Sequence, residues 1–550
     1  MADCLSAAVQ GLFGLPYLFP YQRLVISNIL EAAKSRGISV KWPEKTGEVL
    51  GGLAPKIDEK PLETEETGLF DPEIPQDGET FGRQIVILPT GAGKSLCFQF
   101  PAMLLGGPTL VLYPILSLMA DQQRRLEQRG LAPVLLRGGQ TEGERQKIWE
   151  KIESGESKFI IANPEVLLPP RMREKLKTLK IAHVVIDEAH CVSEWGESFR
   201  PAYLQIGEIV TACGNPLVTA FTATASAPVL EKIEKYVFNS EIHRENTQNS
   251  GVRRIIGNPD RSNIRYAAKG CVLRDLAVRD LLLKSELPAI VFCSSRPGTE
   301  KLASWLACEF MQIWRGTAGT NALPLPEPRF YHAGLSREEK DEIEKWFFNN
   351  SKGVLVSTCA YGMGVDKADI RTVIHRDCPP SVEAYLQESG RAGRDSKASQ
   401  AFLLWGPDDE KRLRLAKNGM EKKRLAELLS YAGNDGACRR SALLGLLNYE
   451  GDADSPENKC CDVCDGEASG KMREEAAVMG FFMKNRRAYS EDEAARIMSG
   501  QKSIRWSTDE AKQAIREFVR MGKLKVCKDP LWKGKITLHR GQDHHWNLPV

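Results

Sequence analysis

The sequence has 550 residues, of which 42% are hydrophobic and 27% charged, and a formal net charge of +3. This length predicts three or four domains, and the composition is typical of a soluble globular protein. The small net charge excludes a globally basic surface. The sequence shows no signal-like N-terminus and no apolar run of about 18 residues, so we expect neither secretion nor membrane insertion.

A helical pattern over residues 19–34 is the first predicted element, and it begins with Phe19-Pro-Tyr-Gln22. Proline suits the first turn of a helix. The Gln22 amide has the chemistry to read the adenine edge of a nucleotide, and an ordinary surface glutamine is the alternative. Residues 36–80 contain 11 acidic and 5 basic residues with 5 prolines, 6 glycines and no period, so they predict an acidic loop or insertion.

The next element is an apolar strand, Ile85–Leu88, followed by Pro-Thr-Gly-Ala-Gly-Lys-Ser and an apolar helical run. A glycine-rich turn between a strand and a helix lets backbone N–H groups and the helix dipole hold a polyphosphate. Lys94 would reach the β- and γ-phosphates and Ser95 would contact Mg²⁺, although Leu88 stands where the full pattern has glycine. An ordinary glycine turn is the alternative. The predicted nucleotide-binding residues of this turn are Thr90, Gly91, Gly93, Lys94 and Ser95.

Further apolar runs alternate with helical stretches and predict a parallel sheet with helices on both faces. These predicted strands are Thr109–Pro114, Phe159–Pro164, Ile181–Ile186 and Leu217–Phe221. Asp187 and Glu188 directly follow the third of them, at the edge where such sheets bind ligands. Asp187 would hold Mg²⁺ and Glu188 would orient and deprotonate the attacking water, with a solvated acidic pair as the alternative.

Residues 89–99 and 187–196 together resemble the RecQ family of superfamily 2 DNA helicases, in a bacterial-type form without an extra C-terminal helical nucleic-acid module. Residues 191–203 resemble the aromatic-rich loop that couples single-stranded DNA to ATP hydrolysis in that family. The resemblance implies DNA contacts for Trp195, Phe199 and Arg200, since bases stack on flat side chains; aromatic side chains packed beneath a loop are the alternative. Glu197 replaces the family's coupling histidine.

Two shorter matches extend the resemblance through the first half of the chain. The segment that ends at Gln22 resembles the family's adenine-reading motif, with Phe19 where arginine is usual. Thr222-Ala-Thr224 resembles the motif that links ATP state to unwinding.

The second half carries another set of apolar runs, which predicts a second α/β domain. It has no second phosphate-binding turn (P-loop) of the kind found before Lys94 and Ser95, so we predict that this domain is a partner to the first and not a second ATPase. Its predicted strands are Ala289–Cys293, Arg329–His332, Gly353–Ser357, Thr372–His375 and Ala401–Leu404. Asp260–Tyr266 resembles the opening of the family's second motor domain, and Ala360–Asp366 resembles a motif that contacts DNA and nucleotide. Arg391 and Arg394 resemble the family's arginine motif and would stabilise transition-state charge, with solvated arginines as the alternative.

Four of the fourteen cysteines are grouped at a spacing typical of a structural zinc site, and the other ten are expected to be reduced. The predicted zinc ligands are Cys438, Cys460, Cys461 and Cys464. Residues 471–550 hold 17 basic and 10 acidic residues, two capping boxes at Ser490 and Ser507, and a hairpin pattern around Trp532. They resemble a winged helix, whose hairpin tip would either wedge at a DNA fork or pack against the domain.

The fold prediction is therefore α/β, with two RecA-like parallel-sheet motor domains, a helical zinc-binding module and a winged-helix-like domain. The predicted boundaries are 1–255, 256–408, 409–468 and 469–550. The resemblance implies an ATP- and Mg²⁺-dependent, zinc-containing DNA helicase of repair or recombination that moves 3′ to 5′ on single-stranded DNA and unwinds duplex or branched DNA. We expect a cytoplasmic, nucleoid-associated monomer. The alternatives are an RNA helicase and a zinc-stabilised DNA-binding or annealing protein with a degenerate motor.

Overall fold

The computed structural model divides the chain into two compact units, Met1–Pro259 and Asp260–Val550. The residues that it describes are 2–14, 18–42, 82–88, 92–194, 200–214, 216–223, 226–239, 251–257, 260–316, 326–359, 367–416, 419–447, 460–501 and 504–539. Within these ranges, no helix is both long enough and apolar enough to cross a bilayer. Nearly all of the predicted acidic insertion, 36–80, lies outside the described residues.

A seven-stranded sheet with only parallel pairings forms the centre of the first unit, in the order β3-β4-β2-β5-β6-β1-β7. Its strands are β1 (Arg83–Ile87), β2 (Thr109–Leu112), β3 (Val134–Leu136), β4 (Phe159–Ala162), β5 (His183–Ile186), β6 (Leu217–Thr222) and β7 (Arg253–Ile256). The predicted parallel sheet is confirmed. Strands β3 and β7 were not predicted, because β3 has only three residues and the edge strand β7 has charged and exposed positions.

Ten α-helices lie in the described part of the first unit, the first two before β1 and the other eight between successive strands. They are α1 (Ala2–Phe13), α2 (Pro20–Ser35), α3 (Lys94–Leu104), α4 (Leu116–Gln128), α5 (Glu142–Glu153), α6 (Pro164–Leu167), α7 (Pro170–Thr178), α8 (Cys191–Glu194), α9 (Ile206–Ala212) and α10 (Ala227–Phe238). Helix α2 begins at a proline as predicted. The central strands are buried along their whole length, so they appear in the sequence as apolar runs without alternation.

A second parallel sheet, in the order β10-β11-β9-β12-β13-β8, lies in the second unit. Its strands are β8 (Ile264–Gly270), β9 (Ala289–Phe292), β10 (Glu327–Tyr331), β11 (Gly353–Ser357), β12 (Thr372–His375) and β13 (Ser399–Trp405). Strand β8 is last in this order, and its outer side pairs with residues 460–464, here called the cysteine segment. Tyr266 N–H donates to Cys460 O (3.4 Å), and Asp462 N–H donates to Tyr266 O (3.1 Å). The cysteine segment therefore covers this edge of the sheet.

The remaining elements of the second unit are helical except for one hairpin. They are α11 (Arg274–Leu282), α12 (Arg296–Gly316), α13 (Arg337–Asn349), α14 (Val382–Ser389), α15 (Pro407–Leu415), α16 (Gly419–Gly433), α17 (Arg439–Leu446), α18 (Glu475–Lys484), α19 (Glu491–Ser499), α20 (Thr508–Arg520), β14 (Leu524–Val526) and β15 (Ile536–Leu538). Both predicted capping boxes are present, at Ser490 and Ser507. The predicted hairpin is confirmed, because β14 and β15 pair antiparallel.

Candidate functional site

The predicted phosphate-binding lysine lies at the N-terminus of α3. Lys94 is the first residue of that helix, and Gly93 before it has a φ of +73°, in the left-handed region that favours glycine. A Cβ at Gly93 would lie 2.5 Å from Gln22 Nε2, so a larger residue would clash with α2. Ser95 follows and is partly buried. Thr90 and Gly91 lie outside the described residues.

Two carboxylates approach this lysine from the end of β5. Glu188 Oε1 lies 3.8 Å from Lys94 Nζ, and both side chains are largely buried. Glu188 has a φ of +51°, and its N–H donates to Asp187 Oδ1 at 3.0 Å, so a tight turn holds the two carboxylates side by side. Burial, and then the charge of Glu188, raise the pKa of Asp187 to about 6. A cation bound there would reverse this effect, because it favours the ionised carboxylate.

A histidine that the sequence analysis did not assign joins this site to the neighbouring strand. His190 Nδ1 lies 3.4 Å from Glu188 Oε2 and 3.1 Å from Thr222 Oγ1, at the end of β6. Because β6 lies between β1 and β5, Thr222 stands between the P-loop strand and the carboxylates. His190 is the last residue of the run Asp-Glu-Ala-His at 187–190, and this position directly after the acidic pair was a signal that could have identified it.

Gln22 contacts the P-loop directly through its side-chain amide. Gln22 Nε2 donates to Ala92 O (2.9 Å), and Gln22 Oε1 accepts from Phe19 N–H (3.0 Å). The residue is 5% exposed. Both ends of the amide are thus engaged within the protein, so reading adenine would require the amide to exchange partners.

Of the three predicted DNA-contacting residues, the structure describes Arg200 alone; Trp195, Phe199 and the neighbouring Glu197 lie outside the described residues. The Arg200 guanidinium donates to Pro114 O and lies 3.6 Å from Glu165 Oε1. Arg200 is therefore paired within its own unit, near the carboxyl end of the first sheet.

Arg391 and Arg394 lie in a loop that follows α14 in the second unit. Arg391 is 4% exposed, whereas Arg394 is half-buried. Helix α14 is joined to the sheet through Glu388, whose Oε2 lies 2.9 Å from His375 Nε2 at the end of β12. The predicted motif of Ala360–Asp366 lies outside the described residues.

The four predicted zinc ligands come together in the second unit. All four Sγ atoms of Cys438, Cys460, Cys461 and Cys464 lie within 4.8 Å of one another. Cys438 Sγ is 3.5 Å from Cys460 Sγ and 3.9 Å from Cys461 Sγ. A tetrahedral zinc with Zn–S bonds of about 2.3 Å places its sulfurs about 3.8 Å apart, so this cluster has the dimensions of a Zn(Cys)₄ site.

The acidity of these thiols is uneven. Burial opposes ionisation of Cys438, but hydrogen bonds with Ser441, Cys460 and Cys464 together outweigh it and lower the pKa of Cys438 to about 7. Burial raises the pKa of Cys460 to about 11. The thiolate of Cys438 is therefore favoured and that of Cys460 is disfavoured, whereas a bound divalent cation would favour the thiolate form of all four cysteines.

Comparison with known proteins places these sites in a family. Residues 76–233 match the DEAD/DEAH box helicase family, and residues 274–396 match the helicase conserved C-terminal domain. The ATP-dependent DNA helicase RecQ of Pasteurella multocida (strain Pm70) is 34% identical over 389 residues, which cover 69% of this chain and 57% of the relative. The protein of the same name from Bacillus subtilis (strain 168) is 30% identical over 430 residues, which cover 76% of this chain and 68% of the relative.

The chain belongs to the RecQ family of helicases. Its two parallel-sheet domains are accordingly the RecA-like pair of a superfamily 2 helicase, as the sequence analysis predicted. The chain spans 57% of the length of the Pasteurella RecQ protein, which is less than two thirds. A crystal structure of the DUF1998 helicase MrfA bound to DNA is similar in fold, with a TM-score of 0.50 and 16% identity over 98% of this chain and 59% of that one.

In this RecQ-family chain, the structure brings together Lys94, Asp187 and Glu188 in the first unit and the four cysteines in the second. It also identifies supporting contacts that the sequence analysis missed, above all Arg261, which binds the backbone of the loop that carries Arg391 and Arg394. The catalytic and DNA-binding roles of these residues remain predictions.

Proposed function

We propose that this protein is an ATP- and Mg²⁺-dependent DNA helicase that translocates on single-stranded DNA and separates duplex or branched DNA in repair or recombination. The observation that carries the proposal is the approach of Glu188 to Lys94, 3.8 Å apart beside Asp187 at the carboxyl edge of the first sheet. A base, a cation and a metal-binding carboxylate at one point are the groups that phosphoryl transfer from ATP requires.

The residues of this site suit a magnesium–nucleotide complex. Among the residues that the structure describes, no hydrogen-bond partner lies within reach of Lys94 Nζ, so this ammonium group is available to phosphate oxygens. Asp187 and Ser95 would hold Mg²⁺, which supplies charge neutralisation to the phosphates. Glu188 would orient a water molecule and take its proton.

Arg391 and Arg394 complete the proposed chemistry. A planar guanidinium can donate two parallel hydrogen bonds to phosphate oxygens and stabilises the charge that develops on a leaving phosphate. We assign both arginines to this role in the second RecA-like domain. Trp195, Phe199 and Arg200 would report the bound DNA strand to the first domain, and the family resemblance implies 3′-to-5′ movement.

The C-terminal part of the chain would hold zinc and contact duplex DNA. Zinc bound by the four cysteines would stabilise the cysteine segment that lies along β8, since metal binding contributes directly to folding. Helices α19 and α20 with the β14–β15 hairpin would act as a winged helix. The hairpin tip exposes 39% of Trp532 and 82% of Leu531, next to exposed Lys528 and Lys533, which suits a contact with a base pair and its phosphates.

Steady-state ATP hydrolysis tests the proposal. The assay compares no nucleic acid, single-stranded DNA and single-stranded RNA of equal length, with Lys94→Ala as the inactive control. We expect strong stimulation by DNA alone, followed by unwinding of a 3′-tailed duplex. Equal stimulation by RNA would instead favour the RNA helicase, and an absence of Lys94-dependent turnover would leave a DNA-binding protein with a degenerate motor.

A further inference from the structure

The backbone of residues 390–397, here called the arginine loop, accepts hydrogen bonds from Arg261, a residue distant in sequence. Arg261 Nη1 donates to Gly390 O (3.0 Å), and Arg261 Nη2 donates to Ala392 O (3.1 Å) and Gly393 O (2.9 Å). These three carbonyls lie on either side of Arg391 and directly before Arg394. The planar fork of one guanidinium therefore contacts the backbone next to both predicted catalytic arginines.

Asn263, two residues after Arg261, continues the same attachment. Its Nδ2 donates to Gly393 O and to Lys397 O, each at 2.8 Å. Gly393 has a φ of +54°, and a Cβ there would lie 2.4 Å from Asn263 Nδ2, so the loop packs too closely for any larger residue. On the opposite side, Gly393 N–H donates to Ile370 O (2.8 Å) and Asp395 N–H donates to Ala368 O (3.2 Å). The loop is therefore held from two sides.

The charge of Arg261 suits this position. The arginine loop follows the C-terminus of α14, where helix carbonyls present partial negative charge, and a cation is favoured there. Burial lowers the pKa of Arg261, and the nearby charge of Arg394 lowers it further, yet arginine stays protonated at neutral pH.

The segment that carries Arg261 is itself anchored to the cysteine cluster. Arg440, whose side chain is 1% exposed, pairs with Asp260 and donates to Ile264 O at 2.7 Å. Its Nε also lies 3.4 Å from Cys460 Sγ. Arg261 thus projects from a backbone segment that is bound at both ends by one buried arginine.

We propose that Arg261 is a positioning residue for ATP turnover, which holds the backbone of the arginine loop so that Arg391 and Arg394 keep their catalytic geometry. This inference rests on the proposed function of those two arginines. The three hydrogen bonds of Arg261 described above go to backbone carbonyls of the loop, so the effect proposed here passes through the loop backbone. Hydrogen bonds to three carbonyls need the guanidinium fork, which neither glutamine nor lysine reproduces.

The kinetic test compares Arg261→Gln with wild type in the full-length, zinc-loaded protein at saturating single-stranded DNA. We expect kcat to fall about 10- to 100-fold, the loss expected when reacting groups are misplaced by about 1 Å, with KM for ATP and the affinity for DNA nearly unchanged. Arg261→Lys should recover part of kcat. Arg279→Gln is the control, because Arg279 is another hydrogen-bonded arginine of the second unit, and its hydrogen-bond partners Asp280 (3.0 Å) and Glu309 (2.7 Å) lie outside the arginine loop.

A second measurement does not depend on activity. In Arg261→Gln, amide hydrogen exchange should accelerate at Gly393 and Asp395 and stay unchanged in the central strands of the second sheet. Unchanged exchange in the loop would overturn the proposal, and so would a general loss of protection across the second unit. If wild type shows no Lys94-dependent turnover, the proposed function fails, and the exchange result alone decides whether Arg261 holds the loop.

Discussion

Replacing Asp260 with asparagine should destabilise the second unit by a predictable amount. Asp260 and Arg440 form an ion pair in which the side chains are 3% and 1% exposed. Asparagine has nearly the same shape as aspartate, so the substitution removes the charge and leaves the packing in place. The guanidinium of Arg440 would then be a buried cation without its counter-ion, a state that costs about 3–5 kcal/mol.

The remaining partners of Arg440 place the expected value at the lower end of that range. The guanidinium keeps its hydrogen bonds to Ile264 O (2.7 Å) and Ser262 O (3.3 Å), which partly solvate the charge. We therefore expect a loss of about 3 kcal/mol in the free energy of unfolding. At about 2 °C per kcal/mol for a unit of this size, its transition should move down by about 6 °C, as measured by calorimetry of the zinc-loaded chain.

The double variant Asp260→Asn with Arg440→Met separates the cost of the lone charge from the value of the pair. Replacing both charged groups by neutral ones removes the uncompensated cation, so the double variant should recover most of the lost stability. A loss below about 1 kcal/mol in the single variant would refute the reasoning, because that value is typical of a solvated surface pair. A double variant no more stable than the single one would refute it as well.

Four further predictions concern the catalytic site, the cysteines and the C-terminal domain. Glu188→Gln should retain ATP and DNA binding and lose at least about 100-fold in kcat, because the proposed general base is removed; retention of turnover would contradict this proposed role. One zinc per chain should be found by atomic absorption, and Cys461→Ser should lower both this stoichiometry and the unfolding temperature. Trp532→Ala should reduce unwinding of a tailed duplex while DNA-stimulated ATP hydrolysis is preserved; equal losses in both would contradict a wedge. A hydrogen bond with Lys535, and then the Ser490 backbone N–H, lower the pKa of Glu493 to about 2. As the pH falls, the unfolded chain therefore takes up this proton before the folded chain does. In urea titrations, the difference in unfolding free energy between wild type and Glu493→Gln should be full above about pH 4.5 and vanish towards pH 2.

The sequence alone determined the features that are encoded in contiguous residues. The P-loop and the Asp187-Glu188 pair each lie at the end of an apolar strand, and parallel sheets bring such strand ends to one edge. Capping boxes and the cysteine spacing are equally local, which is why the helix starts at Ser490 and Ser507 and the thiol cluster could be predicted from spacing. Strands β3 and β7 escaped prediction because a three-residue strand and a partly charged edge strand show no clear apolar run.

Only the tertiary structure decided which distant side chains support the sites. Arg261 meets the arginine loop across about 130 residues of chain, and Gln22 meets Ala92 across 70, so no periodicity or local motif could reveal either contact. The contacts of Arg200 with Pro114 and Glu165 could not be predicted either, because the sequence shows Arg200 only as a cation near aromatic residues. Such contacts depend on how the elements pack and where each rotamer points, and that information appears only when the chain is folded.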